Sequence, residues 1–392
     1  MKQLIWPLFV PGHAGRRLEL GEIVSQIFLR SWYDSLEHPD RAQTQLLSRL
    51  LSGYARTRYG SDRGAREDMG IDEYRRSFPA ITYRDLVPGF DQVRSGNYLA
   101  IIPEPPEAWV MTRGTTGTRK VIPVTKAHIG QIMTCGARAL LNFAVRHQDA
   151  RILDGAILNL NFPSVVDTMM VDGVKVSYGY SSGTYARLNP SLRQTSLLPR
   201  QEEIDALGPG ITKRDWQARF ELVYRMAKAQ NVTGVMGVCP VITSFARYCK
   251  SKHGAYPKEL WKMRALFCTS VPKIHTKYEP VLKAQYGDAP VVEMYTATEG
   301  AFAQQLDDLP YLSPNYDAYL FEVERGSDTM MLHEMKRGQW GRLVISSCLF
   351  PRYRIGDLIE CMGKHYFRVF GRDRLGTVVE HGLYRALTRW FI

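Results

Sequence analysis

The sequence has no apolar run approaching the roughly 20 residues that cross a bilayer. Its opening stretch Leu4 to Val10 is short and interrupted by Pro7, and it lacks the full apolar core and small-residue cleavage site of a signal peptide. No two of the six cysteines form a C-x-x-C pair; Cys135, Cys239, Cys249, Cys268, Cys348 and Cys361 are scattered along the chain. That argues against zinc sites and a disulfide framework, and the cysteines read as small hydrophobes in a reducing compartment. Basic residues never run longer than two, as at Arg75-Arg76 and Lys213-Arg214, and acids are interleaved with them. The net charge of +12 is therefore spread too evenly for the clustered phosphate contacts of a nucleic-acid binder. It suits small anionic ligands such as nucleotides or carboxylates instead. There is no internal repeat and no low-complexity linker. These absences set the expectation of a soluble, cytoplasmic protein with neither a membrane nor a nucleic acid among its partners.

What is present is globular. The 392 residues are 45% hydrophobic and 23% charged, with 32 Gly and 21 Pro, which excludes disorder, collagen-like repeats and coiled coil. At roughly 150 residues per domain the length suits two or three units, or one large domain with embellishments. Residues 1–98 read as helical. Leu46, Leu47, Leu50 and Leu51 fall at helical spacing within 43–54, and a short helix over 71–78 is stopped by Pro79. From about residue 105 short apolar strands alternate with amphipathic helices, which implies an α/β domain of layered sheets flanked by helices. Strands are expected at 109–111, 156–160, 266–268, 291–295, 343–346 and 366–370. A helix is expected over 126–145, capped by Thr125, with Ile129, Ile132, Met133, Leu140 and Ala144 on one face. Trp216, Phe220, Val223 and Ala227 form a second helical stripe, and 278–286 reads as a third helix. The Pro- and Gly-rich stretch 188–210 is the longest expected loop.

The stretch Trp109-Val-Met-Thr-Arg-Gly-Thr-Thr-Gly-Thr-Arg-Lys120 carries the strongest chemical signal. A strand enters two glycines, several hydroxyls and a lysine, then resumes at Val121. Gly114 and Gly117 allow the backbone N–H groups to converge into an anion nest. Thr112, Thr115 and Thr116 can donate to phosphate oxygens, and Lys120 adds charge. The spacing fails the Walker pattern, and taken alone the stretch also suits a hairpin turn with a threonine-rich tip. The glycine loop at Tyr180-Ser-Ser-Gly-Thr-Tyr185 has no second glycine or lysine nearby and reads as a structural or substrate-side loop. A second constellation, Val291-Val-Glu-Met-Tyr-Thr-Ala-Thr-Glu-Gly300, brings Tyr295, Thr298 and Glu299 to the end of a buried strand, where α/β folds place ligands. There a tyrosine can stack on a base, a threonine can hold phosphate, and a carboxylate can ligate magnesium; in isolation Glu299 equally suits a satisfied loop glutamate. A third, Arg352-Tyr-Arg-Ile-Gly-Asp357, presents Asp357 either to ribose hydroxyls or as a surface turn. The fourth, Phe367-Arg-Val-Phe-Gly-Arg372, is a strand ending in Gly-Arg.

In this order the four stretches resemble the adenylate-forming superfamily of acyl-, aryl- and aminoacyl-activating enzymes. The first is similar to its phosphate loop, and Thr296-Ala-Thr-Glu299 to its Thr-Glu motif. Gly356-Asp357 resembles its ribose-binding aspartate, and Gly371-Arg372 its hinge arginine. Within the superfamily the sequence resembles the Gretchen Hagen (auxin-responsive promoter) acyl acid–amido synthetases. This likeness is carried also by Thr57-Arg-Tyr-Gly60, by Phe78-Pro-Ala-Ile-Thr-Tyr-Arg-Asp-Leu86 and by Leu349-Phe-Pro-Arg-Tyr-Arg-Ile-Gly-Asp357.

The resemblance implies activation of a carboxylic acid by MgATP as an acyl-adenylate, followed by attack of an amine or amino acid. A thiol acceptor such as coenzyme A, or a silent binding subunit of the same fold, is the alternative. It implies catalytic roles for Lys120, Thr116 and Glu299, with Glu299 as the metal ligand. Nucleotide contacts are implied from Thr112, Arg113, Gly114, Thr115, Gly117, Tyr295 over the adenine, Thr296, Thr298, Asp357 on the ribose, and Arg372. The acyl pocket is expected to include the 235–245 region. Three departures stand out. Arg113 replaces a small hydroxyl residue, and it either clamps phosphate or points outward and narrows the site. Asp373 follows Arg372 directly, with Arg374 where an acid is expected. Family members carry a C-terminal domain that has no counterpart in 373–392, which leads to an expectation of a further protein supplying its function. The expected divisions are a helical N-terminal extension, 1–98, an α/β adenylation core, 99–372, and a short tail, 373–392, whose apolar stripe at 383, 387, 390 and 391 needs burial.

Overall fold

A computed structural model describes residues 28–114, 119–189 and 197–388. The expected Thr115, Thr116 and Gly117 contacts lie outside the described residues, as do the stripe positions 390 and 391. No described helix is long and apolar enough to cross a membrane.

The N-terminal helices are anchored to strands from the far end of the chain. Helix α1 (Pro39–Ala55) buries Leu46, Leu47, Leu50 and Leu51, which form a cluster with Leu320 and Met331. Gln43 fixes the crossing: its amide donates to the carbonyls of Tyr316 and Tyr319 and accepts from the Phe321 N–H. Helix α2 (Ile71–Ser77) ends before Pro79, as its sequence requires. Ile81 then pairs in parallel with Tyr353 just before α3 (Tyr83–Arg94), whose first turn is closed by a Thr82–Asp85 capping box.

The remainder forms two sheets. Strands β1 (Pro106–Met111) and β2 (Val121–Thr125) are an antiparallel hairpin, and β1 also runs parallel to β5 (Val174–Tyr180), which pairs with β4 (Asp167–Val171). In the larger sheet β3 (Ala156–Asn159), β6 (Leu197–Leu198), β7 (Val232–Val238), β8 (Ala265–Thr269) and β9 (Val291–Ala297) are parallel, in the order β6-β3-β7-β8-β9. Beyond β9 the sheet becomes antiparallel through β10 (Gly300–Gln305), β11 (Leu312–Pro314), β16 (Tyr366–Arg372), β15 (Tyr353–Gly363), β14 (Trp340–Ser346), β12 (Leu320–Arg325) and β13 (Asp328–Met331). The layered α/β architecture expected from the alternating pattern is present.

Helix α4 (Lys126–Arg146) packs against β10, with the Thr125 side chain accepting from the His128 N–H as its cap. Its burial divides along its surface. Ile129 is buried, but Ile132, Met133, Leu140 and Ala144 are only half-buried, whereas His128, Arg138 and Asn142 are fully covered. Arg138 meets Asp317 at 2.5 Å and Asn315 at 2.7 Å, and Asn142 donates to the Leu306 carbonyl and accepts from Tyr33. Each buried polar group has a partner, so its burial is tolerated.

The expected loop 188–210 also carries structure: Leu197–Leu198 adds an edge strand beside β3, and 201–205 is helical. The Tyr180–Tyr185 glycine stretch is not a loop but the start of α5 (Ser181–Leu188). The helical stripe Phe220, Val223 and Ala227 is buried on α6 (Lys213–Ala227) as expected. The final helix α7 (Leu375–Thr388) stacks His381 on Phe370 with ring centroids 3.9 Å apart. Leu383 is not on the packed side; with Leu375 and Val379 it is exposed.

Candidate functional site

At β9 the sheet changes from parallel to antiparallel, and the tip residues of the β9–β10 hairpin are Thr298 and Glu299. Gly300 closes this turn because a Cβ there would lie 2.5 Å from the Phe302 ring. The tip faces the loop of the β1–β2 hairpin, whose base is fixed by Thr112. Its N–H donates to the Lys120 carbonyl at 2.9 Å, and its hydroxyl accepts from the Lys120 N–H at 3.1 Å. Lys120 thus stands where the loop returns to strand, and its ammonium lies 3.6 Å from Glu299 Oε1.

Asp357 reaches the same space by a different device. Between the pairs Val344–Arg354 and Arg342–Leu358, β14 advances two residues and β15 advances four. Gly356 absorbs the bulge with φ +86, a conformation glycine adopts without strain, and bulges of this kind re-aim side chains. Asp357 is consequently a buried strand residue and not a surface-turn aspartate. It accepts from Tyr295 at 2.7 Å and from Arg372 at 2.9 Å. Burial first, then the Asp357 charge, push the Tyr295 phenol well above its ordinary pKa, so this hydroxyl is a donor.

These groups border one cavity of about 1400 Å³. Thr112, Gly114, Lys120, Thr296, Thr298, Glu299, Asp357 and Arg372 all lie on its wall, as does Tyr295. Beside them is an apolar compartment formed by the exposed-side stripe of α4, with Ile132, Met133, Leu140 and Ala144, and by Leu158 of β3. The backbone of α4 is kept clear at Gly136, where a Cβ would meet nothing within 4 Å. From the expected 235–245 region, Met236, Gly237 and Val238 reach the cavity, while Ile242 and Phe245 are in the core behind β7.

Arg113 lies on the wall with its guanidinium carbon 5.5 Å from the centre of the Phe162 ring. It points toward the aromatic wall that Phe162 forms with Tyr180 and Trp216, a placement that neither expected orientation named. Burial draws its pKa below the ordinary arginine value.

Three residues at the site were given no individual role by the sequence, although each lies in a stretch it marked. Tyr353 accepts from Lys120 Nζ at 2.9 Å and donates to Glu299 Oε1 at 3.0 Å. Tyr185 donates to the Thr298 carbonyl at 2.8 Å, and the hydroxyls of Ser181 and Thr298 are 3.0 Å apart, so the start of α5 braces the hairpin tip. Only the nearness of Tyr353 to Asp357 in sequence hinted at its place. No spacing rule connects residues 120, 299 and 353.

Residues 28–204 match the family model of the GH3 family N-terminal domain. Among solved structures the chain is similar to the AtGH3.15 acyl acid amido synthetase in complex with 2,4-DB, with a TM-score of 0.70 and 14% identity over 93% of this chain and 72% of that one. It is also similar to an open conformation of 2-hydroxyisobutyryl-CoA ligase in complex with 2-HIB-AMP and CoA, with a TM-score of 0.55 and 15% identity over 92% and 75% of the two chains. No curated protein sequence matches the chain.

Proposed function

We propose that this chain activates a carboxylic acid with ATP and transfers the acyl group to an amine; the match of residues 28–204 to the GH3 family N-terminal domain and the likeness in fold to adenylate-forming enzymes support this reading. The observation that carries this reading is the union of two environments in one cavity. A charged end holds Lys120, Glu299, Asp357 and Arg372, and an apolar compartment runs along α4. A molecule with a hydrophobic body and a carboxylate would place its body against Ile132, Met133 and Leu140 and its carboxylate toward the charged end.

In the proposed first step the carboxylate oxygen attacks the α-phosphorus of ATP, the bond to the β,γ-diphosphate breaks, and pyrophosphate leaves. Lys120 would offset the charge that develops on the phosphoryl oxygens, and the loop amides around Gly114 would add donors. Asp357 would orient the ribose hydroxyls, and Tyr295 would border the adenine. Much of the rate enhancement in such a step comes from positioning. In the second step the amine attacks the acyl carbon, and AMP departs with its bonding electron pair.

Among the described residues no three His, Cys, Asp or Glu side chains converge on a possible metal site. Glu299 is a single buried carboxylate at the hairpin tip, which fits magnesium carried by the nucleotide, because that ion keeps several waters and takes one or two protein carboxylates beside phosphate. Bound there, magnesium would supply charge neutralisation to the phosphates.

A panel of carboxylic acids in ATP–pyrophosphate exchange tests the activation step without the second substrate. Exchange that depends on an added acid supports the reading; no exchange with any acid rejects it. Release of AMP by amines but not by thiols then assigns the acceptor, and the converse result replaces the amide product with a thioester.

A further inference from the structure

We propose that Tyr353 is a positioning residue for the nucleotide: its hydroxyl stands between Lys120 and Glu299, keeps their 3.6 Å ion pair from closing into a direct hydrogen bond, and so keeps both available to ATP and its metal. This rests on the nucleotide reading above and adds a residue that reading leaves without a role.

The hydroxyl is held by backbone on both sides. Tyr353 pairs with Ile345 of β14 and bridges to Ile81 on its other flank. The Ile81 N–H donates to the Arg352 carbonyl at 2.9 Å, and the Arg354 N–H to the Ile81 carbonyl at 2.7 Å. Its ring lies 5.3 Å from that of Phe350 and is 3% exposed. A side chain so enclosed does not swing aside when a ligand enters.

A phenol offers one donor and accepting lone pairs. Here the donor goes to Glu299 at 3.0 Å and the acceptor takes Lys120 at 2.9 Å. The direct Lys120–Glu299 separation is 3.6 Å, beyond the 2.7–3.2 Å range of a normal N–H···O bond. The hydroxyl therefore mediates this contact. Of the three Lys120 N–H groups, the described structure engages one, leaving donors for phosphate. Without the hydroxyl, Lys120 and Glu299 are free to form a short charge-assisted pair. An incoming phosphate would then have to break that pair in a partly buried setting.

The test is Tyr353→Phe, which keeps the ring and its packing, combined with Glu299→Gln. Binding of ATP with Mg²⁺ is measured calorimetrically on the full chain without acid, beside thermal melting and exchange kinetics. In Tyr353→Phe, Kd for ATP should rise about tenfold and KM should follow, while kcat at saturating ATP stays within about twofold and the melting temperature is unchanged. In the Glu299→Gln background, where no competing charge remains, the same substitution should cost less than about twofold in Kd. Wild-type ATP affinity in Tyr353→Phe overturns the proposal, and so does an equal loss in both backgrounds or a loss confined to kcat. If the wild-type chain itself binds no ATP, the functional reading fails and the proposal with it; if it binds ATP and the variant is indifferent, only the proposal fails.

Discussion

The hydroxyl of Tyr295 donates to Asp357 across 2.7 Å. This bond ties β9 of the parallel half of the sheet to the bulge in β15, and Arg372 on β16 completes it from the other carboxylate oxygen at 2.9 Å. The Tyr295 ring is enclosed as well, packed near Phe302 and edge-on to Phe367. Its role is therefore to aim the aspartate; each carboxylate oxygen accepts one of these bonds and keeps a lone pair for a further donor.

On the proposed reading, Lys120→Ala removes a charge-assisted contact to phosphate worth about 1.5–3 kcal/mol, so acid-dependent exchange should fall by roughly one to two decades. The fold should persist, since the Lys120 bonds that shape the loop run through its backbone. Exchange kinetics equal to wild type would take Lys120 out of the mechanism.

Gly136→Phe tests the apolar compartment. The site of its Cβ is open and lies on the cavity wall, and glycine is a poor helix former by about 1 kcal/mol relative to alanine. The variant should melt no lower than wild type and bind ATP normally, yet lose exchange with bulky acids by tenfold or more while small acids are spared. Equal retention of all acids would place the acyl group elsewhere.

Glu322 is fully buried and accepts from Arg75 at 2.9 Å and from Arg352 at 3.0 Å. Replacing it with alanine strands the buried Arg352 guanidinium, and breaking a buried pair from one side costs about 3–5 kcal/mol. Thermal or urea unfolding should show a loss of that order. The conservative Glu322→Gln should recover part of it, because it keeps an oxygen acceptor for one arginine.

Burial raises the Glu293 carboxyl from 4.5 to about 8. A raised native pKa means that the folded chain holds this proton where the unfolded chain has lost it. The stabilisation is complete below about pH 4.5 and disappears as the pH climbs through about 8. His275 Nε2 lies 3.4 Å away, and its Nδ1 is 2.8 Å from Glu279. The wild-type minus Glu293→Gln difference in unfolding free energy should decline between pH 5 and 8. A difference that is flat or rises over that range would refute the assignment.

The charged end of the site was legible because its residues sit in short contiguous patterns: a lysine after a Gly/Thr loop, a glutamate just past an apolar strand, an aspartate after a glycine. Their supports were not. Tyr353 acts on residues 233 and 54 positions away, and Arg138 finds Asp317 at a separation of 179; local periodicity carries no information over such spans. The α4 stripe was visible, but the spacing of apolar residues along a helix shows only which face is apolar, not whether protein or ligand will cover it. Asp357 likewise read as a surface turn in isolation because Gly-Asp is a common turn signal, whereas here the glycine serves a bulge inside a strand.

The divided burial of α4 separates two kinds of selection on one helix. Arg138, Asn142 and His128, with Ile129, Cys135, Ala139, Leu141 and Phe143, attach it to the scaffold, and Ile132, Met133, Leu140 and Ala144 line the cavity. Replacements among those four leave the scaffold's polar bonds untouched and change the shape of the compartment, so the identity of the acid can drift while the framework stays constant. A helix fastened along one side by both polar and apolar residues is in this sense an exchangeable lining on the other, and related chains that differ there would differ in diet before they differed in durability.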